Sequence, residues 1–147
     1  MAWITDRIIV VPLDLSEFSL KALDAARQLV EDKAAIRVLH ILPQLDTAEP
    51  SAFWRPVDDE SRSLQTRAAM SAFLQEHGYE KMNITVRTGD PGTQIALFAD
   101  DINAGLIVIP SHGRGMLTKM LLGSTTDRVV HLAHCPVLVL KEQRKKT

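Results

Sequence analysis

The chain has 147 residues, 46% hydrophobic and 24% charged, with a formal net charge of −1. That allows one domain with a sizeable core, and it leaves no net field to recruit nucleic acid or an anionic membrane. No apolar run reaches the ~20 residues a membrane-spanning helix needs, the first run is too short for a signal-peptide core, and the single cysteine, Cys135, cannot close an internal disulfide, so the expected compartment is the cytoplasm.

Ile8 to Val11 are consecutive β-branched residues. A run without polar alternation suits a strand buried on both faces, as in a parallel sheet. It ends at Pro12, and a helix signal starts near Ser16 or Ser19. Leu20, Leu23, Arg27 and Val30 follow one face, widened by Ala26 and Leu29. "IRVLHIL", Ile36 to Leu42, is the second strand. Residues 43 to 60 hold three prolines and no period, which predicts a long loop. Loops of this length are uncommon unless they cover a site. Trp54 within it is a lid or partner contact, or a ring folded back onto the body.

A second helix is predicted from Asp59 to His77, with Leu64, Ala68 and Ala72 along its apolar face and Gly78 as its stop. "NITVR" is the third strand. "DPGTQIALFADDINAG" is a helix entered at Pro91, left at Gly105, and apolar along Ile95, Phe98 and Ile102. "LIVI" is the fourth strand. After a glycine-bearing stretch, Ser124 and Asp127 are spaced like a capping box, opening a helix that carries Val129, Val130, Leu132 and Ala133. "PVLVL" is the fifth strand, and the basic end "KEQRKKT" reads as a solvated tail. Strict alternation of strands and helices specifies one α/β domain over residues 1–147: a doubly wound, five-stranded parallel sheet with helices on both faces, Rossmann-like in build.

In such sheets ligands bind beyond the carboxyl ends of the strands, where the winding reverses. With the first strand central, the crevice lies between "PLDLSE" and "VIPSHGRGMLTKMLLGSTTD". Gly113 and Gly115 let the backbone approach a ligand with no Cβ in the way. Gly123, just before Ser124, exposes the amides that open the last helix, and such amides favour anions. Ser124, Thr125 and Thr126 add hydroxyl donors, and Arg114 adds a charge-assisted contact to phosphate. Asp14 can accept from a ribose hydroxyl or an adenine amino group. Each piece also has a purely structural reading, with Ser124 as an N-cap, Asp14 as a cap of the first helix and Gly123 as a breaker.

The chain has no G-x-x-x-x-G-K-[ST] P-loop and no G-x-G-x-x-G after the first strand. No acidic pair stands near the glycine stretch to hold Mg²⁺. No catalytic residue is assigned, and the chain is not expected to be an enzyme beyond, at most, slow ATP hydrolysis. Ser111 and His112 are adjacent, and adjacent side chains rarely face one another. His131, His134 and Cys135 fall short of the four ligands of a structural zinc site, so no metal site is assigned. Histidines beside a helix carboxyl end and a buried, inert cysteine are expected instead. Asp100 and Asp101 read as a solvated helix face.

The spacing from Gly113 through nine residues to Gly123-Ser124 resembles the nucleotide-binding signature of the universal stress protein family, Gly-x-x-Gly, nine residues, Gly-Ser or Gly-Thr. "VPLDLSEFSLKAL", "LHI", "GDP" and "HCPVLVLK" agree with that family over nearly the whole chain. The resemblance implies a fold of the adenine nucleotide alpha hydrolase-like kind, with ATP as ligand, together with Mg²⁺, in one branch. It also implies a homodimer through the last strand, Val137 to Leu140. By position, Pro12, Leu13 and Asp14 meet the base and ribose, and Ile41 packs on the adenine. Gly113 lies under the ribose and phosphates, and Gly123, Ser124 and Thr125 hold the phosphates. The function implied is that of an ATP-binding stress-response regulator. One departure stands out: Pro110 replaces the first glycine of the signature, and proline has no N–H to donate. A nucleotide-free dimeric interaction module of the same fold is the alternative. It shares the dimer, because an apolar edge such as "PVLVL" is shielded by pairing with its twofold mate.

Overall fold

Ile9, Val10 and Val11 of the first strand, β1 (Ile9–Pro12), are fully buried. The computed structural model describes residues 7–44, 59–112 and 122–141. After β1 come α1 (Glu17–Leu29), a short 3-10 turn (Lys33–Ala35), β2 (Ile36–Leu42), α2 (Asp59–Glu76) and β3 (Asn83–Thr88). Then follow α3 (Pro91–Asp101), β4 (Leu106–Pro110), α4 (Ser124–Leu132) and β5 (Val137–Leu140). Every strand pairing is parallel, in the order β3-β2-β1-β4-β5. β1 is therefore central, and β3 and β5 are the edges.

The inner strands lack polar alternation because both faces of the sheet are covered. Val11, Val38 and Val108 share one core with Leu23 and Ala26 of α1 and with Met70 and Leu74 of α2. Their chain neighbours Val10, Leu39 and Ile107 face the other way, into a core with Ile95 and Phe98 of α3 and Val129 of α4. The doubly wound expectation holds. Among the described residues no helix is long and apolar enough to cross a membrane.

α1 begins after Ser16, whose hydroxyl accepts from the Ser19 N–H at 3.1 Å. Leu20 and Leu23 face the core. Arg27, on the same predicted face, is exposed, and its guanidinium donates to the Val30 carbonyl. In α2 the predicted face points outward: Leu64 is 62% exposed, and Ala68 and Ala72 are exposed too. The helix instead buries Met70 and Leu74, with Phe73 half-buried. Those large side chains remove more apolar area from water than a stripe two-thirds alanine, and hydrophobic gain scales with that area. Gly78 does end the helix, at φ +85°.

α3 leaves its helix through Asn103 at φ +52° rather than through Gly105. Gly105 answers to a close approach instead: its N–H donates to the Ile8 carbonyl at 2.9 Å, where the chain runs against Arg7. Asp100 and Asp101 are not merely solvated. Asp100 accepts from His134 at 2.8 Å, and Asp101 pairs at 2.8 Å with Arg87, whose guanidinium lies over the Phe98 ring. On α4, Val129 is buried as expected, while Val130 and Leu132 remain exposed. Cys135 is half-buried, and burial raises its thiol pKa.

A Cβ on Gly105 would lie 2.4 Å from the Cβ of Arg7, an atom fixed to the backbone. Gly105→Ala is expected to destabilise the fold by about 1–3 kcal/mol, the usual range for forced overpacking, and chemical denaturation measures it.

Candidate functional site

β1 and β4 pair only at Ile9–Leu106 and Val10–Ile107, whereas β1–β2 and β4–β5 each continue to the carboxyl ends of the strands. Beyond Val10 and Ile107 the two central strands part, and a cavity of about 280 Å³ opens there. Its walls come from Pro12, Leu13 and Asp14 after β1, from Leu39, His40 and Ile41 of β2, and from Ile109 and Pro110 of β4. Pro91 and Ile95 of α3 and Thr125 and Thr126 of α4 complete one side. Open α/β sheets in general bind their ligands at this kind of crevice.

The β1–α1 turn presents Asp14. One carboxylate oxygen, Oδ1, accepts from the Ser16 N–H at 3.0 Å and also from the Ser16 hydroxyl. Asp14 is therefore not the cap of α1, a role that falls to Ser16; its carboxylate braces that capping residue and also lines the cavity. Leu15 between them sits at φ +65°, a region that leucine rarely enters.

At the other wall, α4 starts from Gly123, which makes no side-chain cap. Ser124 was expected to be the N-cap. It is instead the first helical residue and is exposed. The Gly123 N–H donates to the Ser111 carbonyl at 2.8 Å, so the glycine does not offer its own amide. The helix ladder begins with Asp127 N–H to the Gly123 carbonyl, 2.8 Å. That leaves the amides of Ser124, Thr125 and Thr126 outside the ladder, as at any helix start. The buried Thr126 hydroxyl donates to the Pro110 carbonyl at 2.7 Å, locking α4 to the end of β4.

Of the residues singled out from sequence, Pro12, Leu13, Asp14, Ile41 and Thr125 come together around the cavity. Gly123 and Ser124 lie beside it without lining it. Gly113, Arg114 and Trp54 lie outside the described residues. Sequence reasoning missed His40, whose Nδ1 donates to the Leu13 carbonyl at 2.6 Å. The one available signal was a polar residue interrupting "LHIL" near the end of a strand. His112, set aside with Ser111 in the sequence, also lines the cavity, and its ring stacks on Phe18 with centroids 4.9 Å apart. His131 and His134 sit at the far end of the sheet, against the Asp127 carbonyl and the Asp100 carboxylate. Among the described residues no group of three metal-ligating side chains converges.

The universal stress protein family model matches residues 6–141. The chain is a member of the universal stress protein family. It is 30% identical over 144 residues to universal stress protein MJ0531 of Methanocaldococcus jannaschii, covering 94% of this chain and 84% of that one. It is equally identical to universal stress protein YxiE of Bacillus subtilis, over 90% and 97% of the two chains. The solved structure of the MJ0577 protein, also of Methanocaldococcus jannaschii, superposes with a TM-score of 0.76 at 25% identity, covering 96% of this chain and 99% of that one. A universal stress protein solved in complex with cAMP shares the fold, with a TM-score of 0.61 at 20% identity over 93% and 98% of the chains.

In this universal stress protein the wall formed by α3 is set by Asp90, the N-cap of that helix. Its carboxylate accepts from the Thr93 hydroxyl and N–H at 2.7 and 3.0 Å and pairs with Arg128 of α4 at 3.2 Å. The Thr93 bonds first, and then Arg128, hold the Asp90 pKa below its ordinary value of 3.8. A depressed carboxylate contributes stability that is complete above that value and is lost as the pH falls through the folded-state pKa. Asp90→Ala is therefore expected to lose about 1 kcal/mol at neutral pH, as for other N-caps. The gap to wild type should shrink as thermal melts are taken below pH 3.8.

Proposed function

We propose that this universal stress protein binds ATP, with Mg²⁺, at the crevice between β1 and β4 and acts as a homodimeric stress-response regulator rather than as an enzyme. The observation that carries the reading is the pairing, in one cavity, of an apolar wall with an open helix start. Ile41, Ile109 and Ile95 offer flat apolar surface for a purine, and the amides at the beginning of α4 offer donors to phosphate. Asp14, between them, accepts from the ribose hydroxyls. Gly113 and Arg114 are assigned to the phosphates from the sequence spacing. The family member solved with cAMP adds that an adenine nucleotide is compatible with this fold.

No acid–base pair or nucleophile is assigned at the cavity, so the nucleotide serves as a signal held by the protein rather than as a substrate. The regulatory consequence follows from linkage: whatever binds only the folded crevice stabilises it. The Pro110 ring lines the cavity where the family signature carries glycine, and this is the feature that favours the nucleotide-free interaction module. Calorimetric titration of nucleotide-free protein with ATP and Mg²⁺ separates the two readings. Saturable heat is expected; a flat trace at millimolar ATP leaves only the interaction module.

The homodimer reading rests on β5. It is an edge strand with Leu138 exposed to 38%, and an unpaired apolar edge is an association surface. Leu138→Arg places a charge on that edge. Sedimentation velocity is expected to show wild type as a dimer and the variant as a folded monomer.

A further inference from the structure

We propose that His40 is a positioning residue for Asp14: its imidazole holds the β1–α1 turn in the conformation that keeps the Asp14 carboxylate at the cavity. This inference rests on the nucleotide reading above and names the group that gives that site its discrimination for ribose.

The turn is fixed from both ends around a strained middle. Upstream, Leu13 is 2% exposed, and its N–H donates to the Leu39 carbonyl at 2.8 Å. The Leu13 carbonyl accepts from His40 Nδ1 at 2.6 Å. A carbonyl oxygen can only accept, so Nδ1 is the donor in this contact. Downstream, Ser16 caps α1 and donates twice to Asp14 Oδ1. Between the two anchors lies Leu15 at φ +65°. A branched side chain stays in that region only where its surroundings over-determine the backbone.

The contact spans 27 residues of sequence and joins two neighbouring strands at the point where their ladder ends; the last paired residues are Pro12 and Leu39. The carbonyl that His40 holds belongs to the peptide unit linking Leu13 to Asp14. Rotation of that unit changes φ of Asp14 and swings its side chain. Without the imidazole donor, that peptide unit loses its anchor on the β2 side. The Asp14 carboxylate, still bonded to Ser16, is then less closely fixed where ribose hydroxyls would meet it. His40 also lines the cavity, so a direct contact with the ligand is the competing role, and the two roles use different ring nitrogens.

The test compares ATP with 2′,3′-dideoxy-ATP, which lacks both hydroxyls, on the full chain by calorimetry. Loss of hydrogen bonds to a carboxylate weakens binding by about tenfold or more, so wild type is expected to prefer ATP by that factor. His40→Leu should bring the preference below about threefold while the protein remains folded by circular dichroism, because leucine has no N–H to hold the Leu13 carbonyl. His40→Asn, whose amide nitrogen occupies the Nδ1 position, should restore the preference; His40→Gln, whose nitrogen reaches the Nε2 position, should not. Restoration by Gln and not by Asn would show direct contact with the ligand and overturn the positioning role. A folded His40→Leu that keeps the full preference would overturn it as well. Absence of any ATP binding by wild type would remove the nucleotide reading itself, a result distinct from either. If His40→Leu fails to fold, the Asn and Gln pair decides alone.

Discussion

Beyond Val10 and Ile107 the hydrogen-bond ladder between the central strands ends, because the chain leaves β1 toward one face of the sheet and leaves β4 toward the other. Leu23 of α1 shares one core with Val11 and Val108, and Val129 of α4 shares the other with Val10 and Ile107. Two connections departing in opposite directions cannot both cover the same strand ends, so a crevice remains between them. Its walls are made of whatever those two connections carry. In this chain they carry an aspartate brought to the rim by a left-handed leucine, and a helix that begins without a side-chain cap.

The two walls are built by different physics. The β1–α1 turn is held by individual hydrogen bonds to groups with fixed roles: a strand carbonyl, an imidazole and a helix-capping serine. The α4 wall is held by packing and by the Thr126–Pro110 bond, which is buried and so has no water to compete with it. Gly123 is buried and bonded to Ser111. The amides that follow are left for whatever approaches from the crevice. A serine cap at position 123 would have turned a hydroxyl oxygen onto those amides; glycine leaves them open.

How much of this was legible in the sequence differs by feature. The alternation of uninterrupted apolar strands with amphipathic helices was plain, because each strand run and each helix stripe lies within a few consecutive residues. The location of the crevice followed from strand order alone, and Pro12, Leu13, Asp14, Ile41 and Thr125 do line one cavity there. The role of Ser124 was misread because a serine three residues before an aspartate fits a capping box whichever residue begins the helix. The face of α2 was misread because Leu64, Ala68 and Ala72 keep a helical period equally well, and period does not say which stripe docks.

The sequence by itself determined the α/β class, the family and the end of the sheet at which the cavity opens, since these depend on runs and spacings local in the chain. Only the tertiary structure decided that Met70 and Leu74 would be the buried residues of α2, that the Gly123 amide would belong to Ser111, and that His40 would hold Leu13. Each of those depends on which groups meet across the fold at hydrogen-bond or packing distance. No local pattern encodes a meeting between residues that the chain separates by whole strands and helices.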